Sequence, residues 1–214
     1  KLTTGDAAGY GRAPLFDMAD TYYTITAPAE GIYKEKMSKF MAFAEPVTTA
    51  AEAKAVIAGY AKKYFDARHV CWAYMLGSAR TEFLSSDNGE PSGTAGKPIL
   101  GQINSLGLTD VVVVVVRYFG GIKLGTSGLI VAYREAAREA LTAAEIVERH
   151  DMAEISFNFP YLAMNDVMKI AKGGGVDIVS QIFDNSCAMT VSVRADELEN
   201  LRKRLSDIDG VTLV

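Results

Sequence analysis

Residues 110–133 read DVVVVVVRYFGGIKLGTSGLIVAY, and this stretch organises the rest of the chain. Six successive β-branched residues, Val111 to Val116, are too short for a membrane span and too apolar for a half-wet strand, so they are expected to form a strand buried on both faces. Arg117 and Tyr118 close it. The chain then passes through Gly120, Gly121, Gly125 and Gly128 with one cation, Lys123, and enters a helix predicted near Leu129, with Thr126 or Ser127 as its cap. A rigid strand thus delivers a cationic glycine-rich loop to a helix N-terminus, where free amides and the positive end of the helix dipole favour an anion.

The helix that follows is predicted to run to about Ala144. It buries Leu129, Tyr133, Ala136 and Ala140 and shows Arg134, Glu135, Arg138 and Glu139 to solvent. Upstream, Ser85 to Lys97 (SSDNGEPSGTAGK) reads as a long structured loop, and Pro98 suits the first turn of a helix ending near Leu106. The amides from Gly93 to Lys97 form a second place where backbone donors converge. SGTAGKP is not a phosphate-binding Walker loop, because its first glycine is misplaced and Lys97 is followed by Pro98.

Between residues 66 and 77, DARHVCWAYMLG alternates as a strand, with His69, Cys71 and Ala73 on one face and Val70, Trp72 and Tyr74 on the other. His69 and Cys71 share a face without an orienting third group, so a packing role is expected for them rather than nucleophilic chemistry. Thr49 and Glu52 form a capping box ahead of an amphipathic helix carrying Ala53, Val56, Ile57, Tyr60, Ala61 and Tyr64. Before it, a strand from Tyr22 is expected to pair with a longer one, Ile32 to Val47, through a turn at Ala29 to Gly31. Lys34, Lys36 and Lys39 on that strand read as a solvated face.

Residues 151–214 read as a separate unit. Ile155, Phe157 and Phe159 alternate with polar residues up to Pro160, and a helix from Leu162 to Lys172 stops at Gly173 to Gly175. Strands Val176 to Phe183 and Cys187 to Arg194 are joined by a hairpin at Asp184-Asn185. A helix with Leu198, Leu201, Leu205 and Ile208 on one face leads to a last strand, Val211 to Val214. The order βαββαβ is the ferredoxin-like split unit. Phe157 and Phe159 fall on the face that packs against helices, and the unit carries 10 acidic and 6 basic residues, so base stacking on its sheet is not expected. A protein partner is the alternative for this unit.

Composition narrows the class. The chain has 214 residues, 49% apolar, enough for one or two cores. Its net charge of −4 weighs against a general nucleic-acid glue, so any such contact must be local. Two distant cysteines, Cys71 and Cys187, fit no metal spacing and read as buried thiols of a reducing compartment. No apolar run reaches the length of a membrane span, so a cytoplasmic protein is expected. Residues 1–17, without periodicity, are expected to be a leader appended ahead of the fold.

Three blocks, DARHVCWAYMLG, SSDNGEPSGTAGKPIL and VVVVVVRYFGGIKLGTSGL, together with the ferredoxin-like tail, resemble the Impact/YigZ family over Tyr22 to Val214. The resemblance implies an α+β protein of two domains: residues 18–147 like the second domain of ribosomal protein S-five, and residues 151–214 ferredoxin-like. Eukaryotic members act in translational control under amino-acid starvation, and bacterial members have been proposed to bind RNA or the ribosome. Two departures stand out: Asn88 occupies a position usually held by a second Asp after Asp87, and Ser127 one where Gly is common. The first weakens any metal site at Asp87 to Glu90, and neither metal nor cofactor is expected.

The expected function is therefore that of a non-enzymatic, translation-associated protein that contacts RNA or the ribosome, in regulation of translation. The contact is expected through Arg68, His69, Gly93, Thr94, Lys97, Arg117, Gly121, Lys123 and Gly125. Asp87 and Glu90 are expected to structure the loop, and Arg117 either pairs with one of them or faces a phosphate. The alternative is a hydrolase or binding protein for a small phosphate- or carboxylate-bearing molecule, using Asp87, Glu90 and His69.

Overall fold

The computed structural model describes residues 21–184 and 187–214. The leader expected at residues 1–17, and Asn185 of the expected hairpin, lie outside the described residues. The chain is an α+β protein of two units, each built on its own sheet.

In the first unit, β1 (Thr21–Ile25) is followed by β2 (Ala29–Glu35), β3 (Ser38–Pro46), α1 (Ala50–Lys63), β4 (His69–Leu76), β5 (Glu82–Ser86), α2 (Gly96–Ser105), β6 (Val111–Tyr118), α3 (Gly125–Ala143) and β7 (Ile146–His150). The main sheet has the order β2-β3-β6-β4-β5, every neighbouring pair antiparallel. The valine strand β6 lies at its centre, and all six valines are fully buried. Because side chains alternate along a strand, Val111, Val113 and Val115 join the core under α2 and α3, while Val112, Val114 and Val116 join the core under α1. Arg117 continues the odd-numbered series and is therefore carried beneath α3.

The helices follow their sequence signals in part. Thr49 accepts the amide of Glu52 and caps α1, while the Glu52 carboxylate accepts the amide of Thr48. Pro98 sits in the first turn of α2. α3 buries Leu129, Tyr133, Ala136 and Ala140 as its spacing requires, but it begins at Gly125, about a turn before Leu129. Its N-cap is Leu124, with no side-chain hydrogen bond, so Thr126 and Ser127 lie inside the helix rather than capping it.

Three local expectations are corrected. The segment Ile32 to Val47 is not one strand. Lys36 and Met37 both adopt positive φ (43° and 66°) and turn the chain tightly between β2 and β3. β1 pairs with β7, not with β2, and the β7 segment, IVERH, is too short and charged to announce itself. Finally, Ser85 and Ser86 belong to β5, which shortens the long loop to residues 87–95. Gly31 has a packing reason: a Cβ there would collide with the backbone of α3 at Glu139 and Ala140.

The second unit comprises β8 (Met152–Phe159), α4 (Met164–Ala171), β9 (Val176–Phe183), β10 (Cys187–Arg194), α5 (Leu198–Ser206) and β11 (Thr212–Leu213). Its strand order is β11-β8-β10-β9, the ferredoxin-like arrangement, with antiparallel neighbours. Phe157, Phe159, Met189 and Val191 pack with Val167, Leu201 and Leu205 in one core. β9 is an edge strand whose Ile178, Val179, Ile182 and Phe183 are exposed. Where the units meet, Asp151 accepts the Ala195 amide through its carbonyl and the Ser78 hydroxyl through its carboxylate. No helix among the described residues is long and apolar enough to cross a membrane.

Candidate functional site

The alternation of β6 decides what Arg117 does. Delivered beneath α3, it stacks on Phe40 from β3 and is only 6% exposed. A buried cation needs a carboxylate. The partner is Glu90: Arg117 Nη1 donates to Glu90 Oε1 at 2.5 Å, and the two side chains are 7% and 3% exposed. The Tyr133 hydroxyl donates to the same oxygen at 2.8 Å. The guanidinium carbon of Arg117 lies 5.5 Å from the Phe40 ring centre and 5.6 Å from that of Phe119, a stacked cationic arrangement. Of the two fates expected for Arg117, the carboxylate is the one observed, and its expected role as a phosphate-neutralising group is corrected accordingly.

Asp87 is bound differently. Its Oδ2 accepts the amide of Gly93, and its Oδ1 accepts those of Ala95 and Gly96, at 2.8–2.9 Å. Burial pushes its pKa up, but these three amides and the nearby Lys97 charge outweigh that, and the carboxyl titrates below its ordinary range. Asp87 therefore fills the nest formed by the loop and the start of α2. This corrects the expectation that Gly93 and Thr94 hold an outside anion: the Gly93 amide is taken by Asp87, and Thr94 is buried with both its amide and its hydroxyl bonded to Pro91 O. It equally removes Asp87 from the proposed acid–base set with His69 and Glu90.

Cys71 lies behind this network, with Sγ 2.9 Å from Asp87 O and 3.3 Å from the Tyr133 hydroxyl. Burial pushes its thiol up to about 12, so it stays protonated and is no nucleophile at neutral pH.

His69 opens β4. Its Nδ1 is 2.8 Å from Asn88 O. A carbonyl only accepts, so Nδ1 carries a proton, and Nε2 is turned toward Glu90 Oε2, 3.9 Å away. In front of this pair is a cavity of about 420 Å³. Its lining includes Arg68, His69, Glu90, Arg117, Phe119, Lys123 and the Gly125-Thr126 start of α3. The loop between β6 and α3 is pinned: the Gly120 amide donates to Ser38 Oγ, and a Cβ on Gly120 would collide with the backbone of Met37 and Ser38.

The structure thus gathers Arg68, His69, Arg117, Lys123 and Gly125 around one cavity, together with Glu90. Gly93, Thr94, Lys97 and Gly121 are not among its lining residues. Lys97 is exposed on the first turn of α2, and Gly121 is exposed at φ 88°. Arg68 and Lys123 make no ion pair among the described residues, and both are exposed. Phe119, half exposed at 48%, forms a wall of the cavity. Sequence reasoning passed over it, although an aromatic at the end of a buried strand and next to two glycines is a recognisable signal. No cluster of metal-ligating residues occurs among the described residues.

Comparison with known proteins bears on this site. Residues 36–141, which include the whole cavity, match the Impact N-terminal domain. A Haemophilus influenzae protein described as an IMPACT family member is 31% identical over 182 residues, covering 84% of this chain and 88% of the relative. The IMPACT family member YigZ of Escherichia coli is 29% identical over 189 residues, covering 87% and 93%. A crystal structure of a hypothetical protein superposes with a TM-score of 0.69 at 27% identity, covering 91% of this chain and 96% of that one.

Proposed function

The chain belongs to the Impact family, and on that premise we propose that it is a non-enzymatic, translation-associated protein that contacts RNA, at the ribosome, through the cavity between β4, β6 and α3. One observation carries the reading. In an acidic protein, two cations without carboxylate partners among the described residues, Arg68 and Lys123, border the same cavity as the uncapped start of α3. Cationic side chains and free helix amides together suit a phosphate. Phe119 beside them adds a surface on which a base can stack. The link to translation comes from the role in translational control that the family resemblance implies.

The test uses the cations that are free to act. Arg117 is unsuitable, because its removal strands Glu90 in the core. Arg68→Ala with Lys123→Ala is expected to weaken binding of single-stranded RNA by about tenfold or more. It should also flatten the dependence of log affinity on log salt by about 0.7 for each phosphate no longer neutralised. Ribosome co-sedimentation at low salt should fall in parallel. Binding and salt slope unchanged by the double substitution would remove this cavity from RNA recognition.

A further inference from the structure

Within the cavity, the polar groups are arranged for more than a phosphate. His69 donates Nδ1–H to Asn88 O, so in its neutral form Nε2 presents a lone pair. Glu90 has Oε1 occupied by Arg117 and Tyr133, while Oε2 makes no hydrogen bond among the described residues and lies 3.9 Å from His69 Nε2. Two acceptors therefore face one another at the cavity wall, in side chains 14% and 3% exposed. Such a pair is complementary to a ligand group that donates a hydrogen bond. An anion does not serve there, because Glu90 would repel it. The anion-seeking groups, Lys123, Arg68 and the start of α3, are different residues bordering the same cavity. A further donor, Arg117 Nε, is buried without a hydrogen-bond partner in a side chain that lines it. The volume of about 420 Å³ falls within the roughly 300–1,000 Å³ of ordinary small-ligand sites, which suits one nucleotide rather than a helix.

We propose that the cavity takes a single unpaired ribonucleotide whose 2′-hydroxyl donates its one proton to His69 Nε2, beside Glu90 Oε2, while its phosphate lies on Lys123 and Arg68, so that the protein distinguishes RNA from DNA. This rests on the RNA-binding reading and narrows it. A hydroxyl is the group that separates the two nucleic acids at a given position. A site built to accept a hydroxyl proton rejects an analogue lacking it, because its acceptors are then desolvated and left unpaired. Phe119, another lining residue, supplies the stacking surface.

The experiment compares three fluorescently labelled single strands of one sequence on the intact protein at fixed salt: RNA, DNA and 2′-O-methyl RNA. RNA is expected to bind about tenfold to a hundredfold more tightly than either other strand, the range for a hydrogen bond to a charged acceptor. His69→Ala should bring the RNA-to-DNA affinity ratio close to one. Equal wild-type affinities for RNA and DNA, still sensitive to Arg68→Ala with Lys123→Ala, would overturn this inference and leave the phosphate reading standing. Discrimination that survives in a folded His69→Ala protein would also overturn it. Failure of the wild type to bind any of the strands would overturn both.

Discussion

Glu90→Ala is expected to lower the stability of the protein by about 3–5 kcal/mol, the cost of leaving one member of a buried ion pair without the other. The residue left behind is Arg117, nearly buried on the central strand and held between Phe40 and Phe119. The Tyr133 hydroxyl loses its acceptor in the same change. Urea unfolding followed by circular dichroism measures the loss, as a lower midpoint at an unchanged slope. Glu90→Leu combined with Arg117→Met removes both charges and is expected to recover most of the stability, because apolar replacements of a buried pair are often neutral. A loss below about 1 kcal/mol in Glu90→Ala, the range of a surface pair, would mean that Arg117 is solvated and that β6 does not deliver it to the core.

The second large effect is expected at Asp87. Asp87→Ala leaves the amides of Gly93, Ala95 and Gly96 without their acceptor, and at about 1–3 kcal/mol for each buried donor, partly offset by solvent at this half-buried loop, a loss of about 3 kcal/mol is expected. The effect carries a pH signature. The folded protein holds the Asp87 carboxyl below its ordinary value, so the carboxylate stabilises the fold above the unfolded pKa of about 3.9, and that contribution is lost as pH falls through the folded value. The gap between wild type and Asp87→Ala should be full at neutral pH and should narrow only below about pH 4. A gap unchanged into acid would show that the loop is held by something other than the carboxylate charge.

These two acids show what a sequence yields and where it stops. Period-two alternation puts Arg117 on the same face as Val111, Val113 and Val115, but six identical valines do not say which of the two cores that face meets, so its place beneath α3 comes from the fold. Alternation does locate β10 and the buried phenylalanines of β8 in the second unit, where polar and apolar positions alternate. Whether Asp87 or Glu90 answers Arg117 is not legible, since the two lie three residues apart in a loop without periodicity. The difference depends on the loop's turn at Asn88 and Gly89, both at positive φ. Lys36 and Met37 give no turn signal because neither is a usual residue for left-handed backbone. The start of α3 is displaced from its expected place because polar residues that normally cap helices, Thr126 and Ser127, lie just inside it. The pairing of β1 with β7 joins segments more than a hundred residues apart, and local patterning carries no information about such partners.

The cavity is legible only as a set of residue types. Sequence blocks single out Arg68, His69, Lys123 and Gly125, and the fold adds the depth, the Phe119 wall and the facing acceptors. It also separates this set from the Gly93 to Lys97 loop, whose amides serve Asp87 instead. The functional question thereby narrows from a broad glycine-rich face to one cavity between β4, β6 and the start of α3.

The most direct measurement is a titration of isotopically labelled protein with short single-stranded RNA, following backbone amide resonances. Saturable shifts concentrated at Arg68, His69, Phe119 and Lys123 to Thr126 are the result expected here. Shifts confined to residues 151–214, or to the α2 loop at Gly93 to Lys97 with the cavity unchanged, would contradict it.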